Sequence, residues 1–310
     1  MRVLLALGGN AMTAPDGSAT PAAQIEAVGI AMRAAARLIA AGHELVITHG
    51  NGPQVGNLLV KNELAAHVVP PVPLDWCGAQ TQGTLGFTIL NQLDGALLAA
   101  GVARPVAALV TRVLVDGADP GFTHPSKPIG RYLPHDRVQT LIDHGQTWQD
   151  RGERGWRRVV ASPEPLEILD VAAIRALVDA GYAVCAAGGG GIPVVRDPDG
   201  RLRGVEAVID KDLTAALLGR AIHADVLVIA TDVDHAAIDF GTPAQRELTA
   251  VSVAELRAYA AQGQFASGSM GPKVDAALRF VEQGGPRSVI TSLTHITDAV
   301  EGNFGTCIEH

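Results

Sequence analysis

Two lysines stand where helix physics least favours them. "AVIDKDLTAALLG" places Asp210 to cap a helix, with Lys211 and Asp212 in its first turn. "GSMGPKVDAALRF", residues 268–280, opens a second amphipathic helix with Lys273 in its first turn. A helix N-terminus is locally positive because its first N–H groups lack partners and its peptide dipoles align, so Asp or Glu is favoured there and Lys is mildly unfavourable. A long lysine side chain can lean into water at little cost, which would explain one such residue. Two of them, in a chain with more acids than bases, are better explained by an anion that both helices address. Asp212 would then hold and orient the lysines, although a first-turn carboxylate is equally natural as a partner of the helix dipole.

Glycines and polar residues gather after four apolar runs. Residues 2–7 are followed by Gly8-Gly9-Asn10 and residues 44–48 by His49-Gly50-Asn51-Gly52-Pro53-Gln54. Residues 182–187 are followed by Gly188 to Gly191 and residues 224–230 by Thr231-Asp232-Val233-Asp234. Ligands of open α/β sheets bind at the carboxyl ends of the strands. Glycines there let backbone N–H groups approach an anion, and a helix beginning near Pro53 adds a favourable dipole. Any one of these junctions is equally well a tight turn, but four together outline a long cleft for a phosphorylated ligand. The P-loop pattern G-x-x-x-x-G-K-[ST] is absent. "GNGPQVG" carries glycines at 50, 52 and 56, one residue off the dinucleotide spacing, so a Rossmann dehydrogenase fits poorly.

The elements that must position these residues follow from hydrophobic pattern. Short runs at 2–7, 44–48, 104–115, 182–187, 224–230 and 287–291 are apolar on both faces, as buried parallel strands are. Between the first two, Thr20 can cap a helix with Pro21 at its first position, and Ile25, Val28, Met32 and Ile39 recur at helical spacing until Gly42. The pattern predicts an α/β fold with a mostly parallel sheet covered by helices. Residues 117–155, rich in Pro, His, Asp, Arg and Gly, break the rhythm and predict an insertion, either a small lid or a long surface excursion. Residues 193–205 read as a β-hairpin around Pro198–Gly200, and a further helix starts near Asp170.

With 310 residues, 47% of them hydrophobic, the chain can bury a large core as one domain or two moderate ones. A net charge of -8 and a pI near 5.6 argue against nucleic-acid or anionic-membrane binding, since no excess of cations is available to neutralise phosphates. Cys77, Cys185 and Cys307 form no C-x-x-C pair, and the ten histidines show no H-E-x-x-H spacing, so no protein-held metal site is predicted. The odd, scattered cysteines fit a reducing compartment. The N-terminal apolar run is too short for a signal peptide or membrane span, which predicts a cytoplasmic protein.

Taken together, the motifs resemble those of the carbamate kinases, a branch of the amino acid kinase family. The residues that carry the resemblance are "LGGNA" at 7–11, "THGNGPQVGNL" at 48–58, "AQTQGTLGF" at 79–87, "DPGFTHPSKPIG" at 119–130, "RRVVASPEP" at 157–165, "GGGGIPV" at 188–194, "EAVIDKDLTAALL" at 206–218, "TDVD" at 231–234, "GTPAQ" at 241–245 and "GSMGPKVDAALRF" at 268–280. They span nearly the whole chain in the family's order.

The resemblance implies an open, mainly parallel eight-stranded sheet sandwiched between helices. It implies one domain over 1–310 with 117–155 as a mobile inserted lid, and a homodimer. It implies reversible, Mg2+-dependent phosphoryl transfer from carbamoyl phosphate to ADP, giving ATP and carbamate, which falls apart into ammonia and carbon dioxide. Carried across by position, Gly8, Gly9 and Asn10 would meet the transferred phosphoryl group, and Gly50, Asn51, Gly52 and Gln54 would line the carbamate side of the N-terminal part. Lys127 would reach in from the insert, Lys211 and Lys273 would flank the phosphoryl group, and Asp212 would organise them. Thr231, Asp232, Asp234, Met270 and Gly271 would fall near ATP or ADP in the C-terminal part, about 182–310.

Two departures stand out: His235-Ala236-Ala237 after "TDVD", where relatives often carry an aromatic, and Arg131-Tyr132-Leu133 after "KPIG", where they often carry Pro-Phe-Tyr. The acceptor in such a reaction is already an oxyanion, so the chemistry needs positive groups rather than a general base. Other branches of the family need room for a larger acceptor, and a non-catalytic sensor would not need Lys127, Lys211, Asp212 and Lys273 together. The direction of flux, with carbamoyl phosphate derived from arginine or purine breakdown or made for synthesis, uses the same site either way.

Overall fold

The computed structural model describes residues 1–9, 20–143, 145–266 and 269–310. Eight strands form a central sheet in the order Ala250–Ser252, Thr306–Glu309, Arg287–Ser292, Val226–Thr231, Arg2–Leu7, Glu44–His49, Ala183–Cys185 and Val106–Ala108. Neighbours run parallel except Arg287–Ser292 with Thr306–Glu309. The central strand Arg2–Leu7 shows why these runs are apolar throughout. Leu4 and Ala6 enter the core on one side of the sheet, while Val3, Leu5 and Leu7 enter a second core on the other. The helices Lys211–Ala221 and Met270–Glu282 cover the first face, and Pro21–Ala40 and Leu74–Ala99 cover the second.

The run at 104–115, which reads as a single strand, divides at Thr111. Val106–Ala108 stays in the main sheet, while Arg112–Val115 enters a second sheet ordered Leu202–Gly204, Ile192–Arg196, Arg112–Val115, Pro165–Ile168. The division is held by the Gln82 amide, whose Oε1 accepts from the Thr111 N–H at 2.9 Å and whose Nε2 donates to the Thr111 carbonyl at 3.2 Å. The hairpin expected around Pro198–Gly200 is the antiparallel pair Ile192–Arg196 and Leu202–Gly204.

The insertion builds its own three-stranded antiparallel sheet, Lys127–Leu133, Trp156–Val160 and Thr147–Asp150, with the helix His135–Asp143. Leu133, Val138 and Trp148 make a small core within it. Its return strand runs past residue 155 to Val160, because the pair Arg157-Arg158 heads an apolar end that composition alone separates from the insert. Lys127 lies opposite Val160 and Ile129 opposite Arg158, so these four share one face. That face meets the main body: Ile129 and Val160 pack with Val55, Leu59, Leu74 and Cys77. No helix among the described residues is long and apolar enough to cross a membrane.

Candidate active site

Parallel register brings the glycine-rich junctions to one sheet edge, with Leu7 beside both His49 and Ala230, and Ile47 beside Cys185. The ladder continues into the glycines: the Gly8 N–H donates to the Ala230 carbonyl and the Gly50 N–H to the Leu7 carbonyl, both at 2.9 Å. The two junctions are pressed together, since a Cβ on Gly50 would lie 2.7 Å from the Gly9 nitrogen. Asn10 lies outside the described residues.

The turn after Ala183–Cys185 is held by four side chains. Ala187 is left-handed, at φ 54° and ψ 30°, a conformation that costs a residue with a Cβ about 1–2 kcal/mol. Two buried hydroxyls hold it there: Thr111 Oγ1 accepts from its N–H and Thr48 Oγ1 donates to its carbonyl, each at 3.0 Å. Gln82 Nε2 donates to the Gly188 carbonyl and Thr214 Oγ1 to the Gly190 carbonyl, both at 2.9 Å. Side chains at 188 and 189 are excluded by contact, because their Cβ atoms would come within 2.3 Å of His49 Nε2 and 2.1 Å of Asn51 Nδ2. Asn51 Nδ2 in turn donates to Thr81 Oγ1 at 2.9 Å. His49 is fully buried, with Nδ1 2.9 Å from the Gly50 carbonyl oxygen. Burial pushes its pKa down to about 4, the Gly50 hydrogen bond opposes this, and the Lys211 charge adds to it. A neutral ring with Nδ1–H bound to that carbonyl is the resulting state.

Helix starts place the cations above this floor. Asp210 caps Lys211–Ala221, Oδ1 accepting from the Asp212 N–H at 2.9 Å and the Leu213 N–H at 3.4 Å. The buried Asp212 carboxylate pairs with Lys211 through Oδ1, and its Oδ2 lies 3.7 Å from Lys273 Nζ. Lys273 does not lean into water: its side chain is only 16% exposed, and Nζ also donates to the Ser269 carbonyl at 3.3 Å. Lys127 reaches from the insert to Asp210, Nζ to Oδ2 2.6 Å. Burial alone would raise the Asp210 carboxyl, but the Lys127 charge and hydrogen bond, with Lys211 behind them, hold it below the usual carboxylate range. Two ammonium groups 4–8 Å apart repel by about 2–4 kcal/mol at an effective dielectric near 20, and carboxylates placed between lysines offset that repulsion. Three lysines against two aspartates leave one net positive charge.

A cavity of about 800 Å³ opens beside the cluster. Gly8, Gly9 and Lys273 line it, as do the expected residues Thr231, Asp232, Asp234 and Met270, and Phe240 and Phe265 contribute aromatic walls. Gly271 is not in its lining. It lines a neighbouring 260 Å³ pocket with Asp210, Leu213, Pro272 and Asp275, and its N–H is engaged by the Ala266 carbonyl at 2.9 Å. Of His235-Ala236-Ala237, where relatives often carry an aromatic, His235 and Ala237 line the large cavity.

Gln54 is buried near the start of Gly52–Ala65. Nε2 donates to Gln24 Oε1 at 2.9 Å, while Oε1 has no donor among the described residues. Residue types alone missed Thr48, Thr81, Gln82, Thr111 and Thr214, which brace the floor, and Phe240 and Phe265. The signal available was the polar triplet Gln80-Thr81-Gln82 inside a long helical stretch.

A phosphate-binding α/β phosphotransferase is the class that this fold and cluster define. The chain belongs to the amino acid kinase family, whose sequence profile matches residues 1–292. Carbamate kinase of Thermococcus kodakarensis is 46% identical over 309 residues, 98% of each chain. Carbamate kinase of Clostridium perfringens is 43% identical, covering 99% of each. The solved structure of carbamate kinase from Giardia lamblia bound to AMP-PNP superposes with a TM-score of 0.93 at 40% identity, covering 99% of this chain and 98% of that one.

Proposed function

We propose that the protein is a carbamate kinase, transferring a phosphoryl group reversibly between carbamoyl phosphate and ADP. The observation that carries this reading is the lysine cluster: Lys211, Lys273 and Lys127, spaced by Asp212 and Asp210, with Lys273 in the lining of a cavity with aromatic walls. The near full-length carbamate kinase relatives support it, and the AMP-PNP in the Giardia lamblia structure supports nucleotide use.

In the transfer, an ADP β-phosphate oxygen bonds to phosphorus as the bond to the carbamoyl oxygen breaks. The products are ATP and the carbamate anion, the total charge is unchanged, and no proton moves. The obstacle is repulsion between anions, which preorganised cations relieve. Lys211 and Lys273 flank the phosphoryl group and Asp212 keeps them apart and oriented. Gly8, Gly9 and Asn10 meet its oxygens, and Lys127 serves the carbamoyl side from the insert at 117–155, acting as a lid. Gly50, Asn51, Gly52 and Gln54 line the carbamate pocket, where the undonated Gln54 Oε1 suits the carbamoyl amino group. Thr231, Asp232, Asp234, Met270 and Gly271 serve the nucleotide in the C-terminal part.

Mg2+ keeps several waters and is held by one or two carboxylates plus substrate phosphates, so it needs no protein cage. Asp232 and Asp234 line the cavity and fit that role, and no group of three or more metal-ligating side chains gathers among the described residues. The ion would neutralise charge on the nucleotide phosphates. A homodimer is supported by Trp76, Phe87 and Leu98 of the helix Leu74–Ala99, exposed by 60, 63 and 83% and spaced eleven residues apart, which puts them along one stripe. Free cysteines, two of them buried, suit a cytoplasmic setting.

Purified protein mixed with carbamoyl phosphate, ADP and Mg2+ should form ATP, read by luciferase luminescence. Turnover no greater than that of Lys211→Ala would overturn the assignment, and ATP formed faster from acetyl phosphate would move it to another small carboxylate.

A further inference from the structure

Asp210 is where the insertion meets the lysine-bearing helix. Capping explains only half of its contacts: Oδ1 receives the Asp212 and Leu213 N–H groups, but Oδ2 faces away from the helix and lies 2.6 Å from Lys127 Nζ. A cap needs no charge, since Ser, Thr or Asn serve as well as Asp. The second contact therefore asks for its own explanation.

Three features of the surroundings supply it. The two partners are 83 residues apart, and Lys127 is the first residue of the insert's sheet while Asp210 immediately precedes Lys211. Both side chains are largely withdrawn from water, 27% and 18% exposed, where an ion pair is screened far less than on an open surface. Lys127 shares its face with Ile129 and Val160, which pack on the main body beside Val55 and Leu59. The ion pair thus lies at one end of the docking face, beyond the apolar contacts of Ile129 and Val160.

An ammonium group has three donors. With one committed to Asp210, two remain for an oxyanion, and the direction of Nζ is fixed by an element that also fixes Lys211. A lysine without this partner would sample many rotamers at the end of a flexible stem.

We infer that Asp210 is a positioning residue for phosphoryl transfer: it seats Lys127 against the start of the Lys211 helix, so that docking of the insert and alignment of the lysines are one event. This rests on the carbamate kinase reading for its kinetic consequences but not for its structural one. Asp210 works through Lys127 and the helix start, and is not assigned a contact with substrate.

Asp210→Asn keeps an efficient cap and removes the charge that holds Lys127. In the full-length protein its thermal midpoint should fall by less than that of Asp210→Ala, which loses the cap as well as the pair with Lys127. KM for carbamoyl phosphate should rise about tenfold or more while KM for ADP moves less than about twofold, and Lys127→Ala with Asp210→Asn should be no worse than Lys127→Ala alone, as expected for residues acting as a unit. Asp210→Ser, another capping residue, should reproduce these shifts. Losses that simply multiply in the double variant, or an equal rise in both KM values, would overturn the proposal. A second measurement needs no turnover: hydrogen exchange in the ligand-free protein should quicken across Lys127–Leu133 in Asp210→Asn and stay unchanged in Lys211–Ala221. Unchanged exchange in the insert strand would refute the seating role even in an active enzyme. Absence of ATP formation by the unmodified protein would refute the kinase reading and leave the exchange result standing.

Discussion

The two lysine-bearing helices begin in opposite ways. Lys211–Ala221 starts on a full side-chain cap, Asp210, and is braced from behind, where a Cβ on Gly190 would lie 2.5 Å from the Ile209 carbonyl oxygen. Met270–Glu282 starts on Ser269, whose side chain makes no capping bond, and the Ala266 carbonyl takes the Ser269 and Gly271 N–H groups instead. Lys211 is paired directly to the buried Asp212, whereas Lys273 stands 3.7 Å from that carboxylate and lines the large cavity. One cation is fixed by the fold, and the other belongs to the wall of the open cavity.

Substitution of each lysine sharpens the contrast. Removing one preorganised charge aimed at a transition state costs about 10²–10³ in kcat, so Lys211→Ala should lose about 10³-fold with KM for ADP nearly unchanged. Lys273→Ala should lose about 10²-fold in kcat and also raise KM for ADP, because its ammonium lines the cavity. Steady-state kinetics in both substrates would show this, and identical profiles would break the distinction. Lys273→Ala should cost the fold no more than about 1 kcal/mol, since that lysine opposes its helix dipole, whereas Lys211→Ala leaves the buried Asp212 carboxylate with Lys273 alone and should cost more.

A smaller effect separates the fixed side of the site by pH. His49 lies beside the Lys211 start with its pKa lowered from 6.5 to about 4 by burial, against its Gly50 bond and helped by the Lys211 charge. The folded state therefore binds fewer protons than the unfolded chain between these values, and stability falls as pH drops through them. The contribution is complete above about pH 6.5 and amounts to on the order of 3 kcal/mol lost by pH 4. Urea denaturation from pH 7 to 4.5 should show the decline, and His49→Gln should flatten it. An equally steep decline in that variant would assign it to other groups.

How much of this was legible in the sequence depended on whether a residue acts alone or through a partner. The central strands announced themselves because Val3 to Leu7 are buried on both faces, and Asp210 and Thr20 announced their helices as caps. Ala250–Ser252 and Thr306–Glu309 did not, because they are only three and four residues long and stand at one edge of the sheet. The lysine anomaly was visible at both helix starts, and the structure gathers Lys211 and Lys273 around Asp212. Gln82 and Thr111 were invisible as a pair: each is ordinary by type, and their meaning lies in hydrogen bonds between residues 29 positions apart. Asp210 read as a cap and nothing more, because its second partner comes from the insertion.

The smallest expected effect returns to the helix starts themselves. Replacing a capping Asp by Ala typically costs about 1 kcal/mol, and Asp210→Ala should reach at least that because it also strips Lys127 of its carboxylate. Ser269→Ala should cost less than about 0.5 kcal/mol, since the hydroxyl satisfies no helix N–H and the Ala266 carbonyl keeps its two donors. Chemical denaturation of the two variants would decide it. A loss in Ser269→Ala as large as in Asp210→Ala would mean that the second helix is capped after all, and that Lys273 is held by the fold as firmly as Lys211.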